Sequence, residues 1–126
     1  MPKLAAADAR AIARDYHDIA LSLGAHRFAN WERLSPARRS ELERLQWTLL
    51  TFSSDMTTRA IDLQVDDLDA ALSGLKKAVN TLKRAVKHAN DARTAISAAA
   101  RAVTLGAAIV TGNAVALAAA VGGSGS

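Results

Sequence analysis

The chain has 126 residues, 16 Lys and Arg against 12 Asp and Glu, a net charge of +4 and a hydrophobic fraction of 50%. That is room for one domain, with too much apolar content for a disordered chain. Two prolines, seven glycines and no cysteine exclude a many-stranded sandwich or barrel, a disulfide framework, a thiolate metal site and a thiol nucleophile. The expected class is all-α, a helical bundle or coiled coil. All five aromatic residues, Tyr16, Phe28, Trp31, Trp47 and Phe52, fall in the first 52 positions. Downstream, the apolar content is Ala, Leu, Val and Ile.

The first helix is predicted over about Leu4 to Leu23, because Ile12, Tyr16, Ile19 and Leu23 recur at four, three and four and share one stripe. Gly24 is placed to cap it. Ala25 to Leu34 reads as a connector whose Phe28 and Trp31 turn into the core. Ser35-Pro36 marks a second start, since Ser is a preferred N-cap and Pro loses nothing at the first helical position. Leu42, Leu45, Leu49, Phe52 and Met56 continue at three and four. The small polar residues Ser53, Ser54, Asp55, Thr57 and Thr58 then predict a turn. Residues 1–56 are therefore expected to form a helical pair around Ile12, Tyr16, Ile19, Trp31, Trp47, Leu49 and Phe52.

From Ile61 to Val121 apolar residues alternate at four and three, including Leu68, Leu72, Leu75, Val79, Leu82 and Val86 as core positions. Unbroken, such a heptad helix would span about 90 Å. Gly74, Gly106 and Gly112 are the places where it could break, and Arg93 is its one charged core position. Two segments are distinguished: 57–101, an amphipathic heptad helix with a basic face, and 102–121, an uncharged Ala/Gly-rich apolar helix. Gly122 to Ser126 read as a linker or tag remnant, with a natural chain expected to extend past Val121.

The basic face carries Lys76, Lys77, Lys83, Arg84, Lys87 and Arg101, and charge stops at Arg101. Beyond it Leu105, Ile109 and Val115 occupy positions that were charged upstream, so no polar face remains. A helix apolar all round is buried in protein or in lipid, and twenty residues match a bilayer core of about 30 Å. Ala108, Gly112, Ala116 and Ala120 recur every fourth residue, a small-residue ridge suited to close helix packing. Polybasic residues beside an apolar segment favour an anionic lipid surface.

Chemistry is sparse. His17, His26 and His88 are isolated, Asp62, Asp66 and Asp69 are typical helix-start acids, and no phosphate loop or nucleophile motif is present. No enzyme activity, metal, cofactor or small-molecule substrate is expected. The basic block has no interleaved aromatics, which speaks against nucleic acid. No uninterrupted apolar leader opens the sequence, so cytoplasmic synthesis is expected. The reading is a non-enzymatic membrane-engaging helical module, inserting or pore/assembly-forming and self-associating. The alternative is a soluble coiled-coil scaffold or subunit whose apolar C-terminal helix is buried by partner chains. The arrangement resembles α-helical pore-forming proteins in architecture alone, with no shared motif.

Overall fold

The computed structural model describes residues 3–63, 65 and 67–124, without the side chains of 122–124, so the expected remnant at 122–126 lies largely outside the described residues. It is an all-helical bundle: α1 (Ala6–Ala29), a 3-10 turn (Trp31–Arg33), α2 (Pro36–Thr58), α3 (Leu68–Lys87), α4 (Ala92–Thr111) and α5 (Ala114–Ser124). Helices α1, α2, α4 and α3 form a ring, with α4 in contact with every other helix and α5 laid against α3 and α4. The core is aliphatic and runs through all five helices.

Local signals explain the helix starts. The Ser35 hydroxyl accepts from the Arg38 amide at 3.2 Å, Asp67 from Ala70 at 3.1 Å and Asp91 from Thr94 at 2.8 Å, each filling one orphan donor of a first turn. Hydrogen bonds from Thr94 hold the Asp91 carboxylate below its ordinary range, the backbone amide being the main cause.

Three expected boundaries moved. Gly24 does not cap α1; it sits inside the helix, where a Cβ would approach Gln46 Nε2 of α2 to 2.8 Å. The expected turn at Ser53 to Thr58 is helical throughout. Thr57 and Thr58 return their hydroxyls to Ser54 O and Ser53 sends its own to Ala13 O at 2.8 Å, so these polar groups are satisfied without leaving the helix. The single long heptad helix is instead α3 and α4, divided at His88 to Asp91, where Asp91 caps a new helix. Gly74 and Gly106 are not breaks; both lie within helices.

Gly112 is a break, and an obligatory one. Its φ of 70° lies in the left-handed region, its amide bonds back to Ala108 and Ile109, and a Cβ would overlap the Asp62 carbonyl oxygen. Asp62 and Leu63 of the α2–α3 connector thus lie against the α4–α5 turn. Leu4 donates its amide to Ile61 O at 2.8 Å, and Ile61 and Leu63 are buried there.

At the centre, Gly106 of α4 faces the Tyr16–Phe52 edge-to-face pair, whose rings are 6.4 Å apart. A Cβ at Gly106 would lie 2.7 Å from Phe52 and 2.9 Å from Tyr16, so the glycine is a notch for two rings. The Tyr16 hydroxyl donates to Ala102 O at 2.7 Å, and burial pushes its pKa well above the ordinary phenol value.

The core differs from expectation at the aromatics. Ile12, Tyr16, Ile19, Leu49, Leu75, Val79, Leu82 and Val86 are buried, and Phe52, Leu68 and Leu72 pack half-buried against them. Trp31 and Trp47, expected inside, are 41% and 64% exposed, and Phe28 is 82% exposed. The reason is room: with Ala at so many contacts, the helices pack too closely for more than one large ring pair between them.

Candidate interaction surfaces

The basic face divides in two. Lys76 Nζ lies 2.7 Å from Asp8 Oδ1 and Lys83 Nζ 2.9 Å from Asp15 Oδ1, so these two lysines join α3 to α1. Seven residues separate the rungs on both helices, which therefore run parallel. His26 Nε2 meets Val86 O at 2.6 Å at the far end of the same seam. Lys77, Arg84, Lys87 and Arg101 remain at the surface. Arg93, expected to break the core pattern, is exposed and borders an open cleft between α3 and α4 with Thr81, Ser97 and Arg101.

The apolar segment is placed differently from its predicted positions. Leu105 and Ile109, expected on an outward surface, are completely buried. The division at His88 to Asp91 resets the helical phase. Ala95, Ala99, Ala102, Leu105, Gly106 and Ile109 turn inward, while Ala100 and Ala107 turn out. Val115 does stand on the surface, 80% exposed. Ala108, Ala116 and Ala120 line one cleft of about 390 Å³ between α4 and α5, walled also by Thr104, Ala107, Thr111 and Ala119. Gly112 is the turn at its end and not a rung of a continuous ridge. α4 has a mean hydropathy of 1.4 and is long and apolar enough to cross a membrane by composition, with half of that stretch buried in the bundle. The segment 102–121 is not one spanning helix, since Gly112 and Asn113 divide it.

A second surface was missed by sequence reasoning. Apart from Val115, the exposed large hydrophobics among the described residues are Leu21, Phe28, Trp31 and Trp47, all on α1, α2 or the turn between them. A cleft of about 580 Å³ opens at that turn, lined by Phe28, Asn30, Trp31 and Arg33 among others. Trp31 is held there by guanidinium groups: Arg39 lies 4.2 Å and Arg27 5.3 Å from its ring centre, and Arg39 Nε donates to Trp31 O at 2.9 Å. Arg27 reaches on to Glu43 at 3.6 Å. The signal was in the sequence as a second stripe on α1, Arg10, Arg14, His17, Leu21 and Phe28, opposite the core stripe. It was overridden by the general tendency of large aromatics to be inside.

Among the described residues no group of three His, Asp or Glu side chains is arranged to hold a metal ion, and Asp66 lies outside them. No family model, curated protein or solved structure matches the chain.

Proposed function

We propose that this is a non-enzymatic helical interaction protein that associates with a second copy of itself through the uncharged α4–α5 face. One observation carries the reading: Val115, 80% exposed, stands one helical turn before Ala119, which walls the apolar cleft of about 390 Å³, a knob beside a hole. A two-fold contact needs such self-complementarity, because each copy must supply what the other lacks. The surrounding surface, Thr104, Ala107, Thr111, Ala116 and Ala119, is small and uncharged, which suits close helix approach. The seven-residue rungs between α1 and α3 support a coiled-coil style of packing in the rest of the scaffold.

Membrane engagement is the second reading, favoured by the hydropathy of α4 and the exposed face of α5. Two facts weigh against it as the first. Leu105 and Ile109, the strongest apolar side chains of the segment, are already used inside the bundle, and Lys76 and Lys83 are already paired. Light scattering behind size exclusion, alongside flotation with anionic vesicles, separates the two. The proposal expects a dimer without detergent, reduced to monomer by Val115→Glu, and no flotation. A monomer at all concentrations overturns it, and flotation of the intact chain that fails in Val115→Glu favours lipid.

A further inference from the structure

We propose that the outer face of the α1–α2 pair is a docking surface for an acidic, amphipathic helix of another protein. This face is on the opposite part of the molecule's chain from the α4–α5 surface and does not rest on it.

The two helices run antiparallel, in a register fixed by three contacts: Ser53 with Ala13, Gly24 with Gln46, and Arg27 with Glu43. Leu21 and Phe28 flank Gly24 on the same side of α1, and Trp47 follows Gln46 on α2. The three exposed apolar side chains therefore border one shallow groove. Gly24 lets the two helices close up beneath it, the side chain of Gln46 taking the space a Cβ would fill. Apolar residues at a spacing of seven along a groove are what a helical ligand reads, one anchor every two turns. Trp, Phe and Arg are also the residue types that dominate binding energy at protein interfaces.

Charge selects the occupant. Along the same side of α1 the stripe continues toward the N-terminus as His17, Arg14 and Arg10, all exposed, and Arg44 stands one turn before Trp47. Most nearby acids are engaged elsewhere: Asp8 and Asp15 hold α3, Asp55 is 3.8 Å from Arg59, Glu41 is 3.6 Å from Arg38 and Glu43 meets Arg27. Asp18, one turn after Arg14, offsets one of these charges and leaves the stripe basic. Opposite the arginines, α2 offers Thr51 and Thr58, whose hydroxyls bond to their own helix. From Arg10 to Phe28 the groove is about 27 Å long, five turns of helix. A ligand with apolar residues on one stripe and carboxylates beside it meets both ends. A single-stranded nucleic acid is a poorer match, since Leu21 gives no stacking surface and Arg39 already lies over Trp31.

Trp31 and Trp47 are the only tryptophans, which gives a direct assay. In a Trp31→Phe chain, Trp47 emission is followed during titration with an 18-residue synthetic helix carrying Leu on one stripe and Glu elsewhere. Controls are the same helix with Lys in place of Glu, an oligothymidylate of 20 nucleotides, and phosphatidylglycerol vesicles. The proposal expects a saturable blue shift with the Glu helix alone, at least tenfold weaker after Arg10→Glu plus Arg14→Glu, and lost in Phe28→Ser. Both variants are checked for unchanged helical circular dichroism. No shift with the Glu helix, an equal shift with the Lys helix, or a larger one with DNA or vesicles overturns it.

Discussion

The α1–α2 pair and the α4–α5 hairpin use apolar residues in opposite ways. In α1–α2 the largest side chains, Phe28, Trp31 and Trp47, are at the surface beside arginines, and one ring pair suffices inside. In α4–α5 the larger aliphatics, Leu105, Ile109 and Leu117, are inside, and the surface is mostly Ala and Thr with Val115 alone. The difference shows that hydrophobicity alone does not locate the core of an Ala-rich bundle. Close helix spacing admits small residues and expels rings, so bulk marks the outside of one half and the inside of the other.

If small residues set the spacing, enlarging them should break the α4–α5 half far more than truncating rings harms the α1–α2 half. Gly112→Ala adds a side chain in the left-handed region and against the Asp62 carbonyl, and is expected to lower unfolding free energy by about 2–5 kcal/mol in urea titration. Gly106→Ala pushes against Phe52 and Tyr16 within an intact helix. Its expected loss is about 1–3 kcal/mol by the same measurement, despite the better helix propensity of Ala.

Tyr16→Phe removes one buried hydrogen bond, for about 1 kcal/mol at neutral pH. It also tests the sign of the Tyr16 shift. Folding raises the phenol pKa, so above about pH 10 the unfolded chain releases a proton that the native state keeps, and stability falls as pH rises. The wild type should lose stability through that range by a component absent from Tyr16→Phe, narrowing the gap between them. Smallest of all, Trp47→Ala should change stability by no more than about 0.5 kcal/mol, where a core tryptophan would lose about 3–5 kcal/mol. A large loss at Trp47 would undo the contrast between the two halves.

Helix content was legible because it rests on short-range signals. Ser35-Pro36 begins α2 as its cap chemistry requires, and Tyr16, Ile12 and Ile19 share the buried stripe read from their spacing. The misplaced features depend on what each helix meets in space. The four-three rhythm runs through His88 to Asp91 without a change in apolar spacing, yet Asp91 capping wins there and rotates the α4 stripe, carrying Leu105 and Ile109 inward. Gly106 read as a weakness within a helix; its role as a notch exists only once Tyr16 and Phe52 arrive from two other helices. The outer groove was equally hidden, since Leu21 and Trp47 become neighbours only through antiparallel pairing of α1 with α2.

The notch at Gly106 also bears on the order of assembly. Its two rings come from α1 and α2, and the Tyr16 hydroxyl reaches Ala102 across 86 positions of sequence. Each neighbouring helix pair can form by short-range hairpin closure, but the Gly106 side of α4 has no ring pair to seat against until α1 and α2 are joined. The late event in folding is then the docking of two ready-made hairpins, with the connector at 59–67 as their tether. Because closing a tether grows only logarithmically in cost with its length, lengthening that connector should slow docking little, whereas filling the notch removes the seat itself.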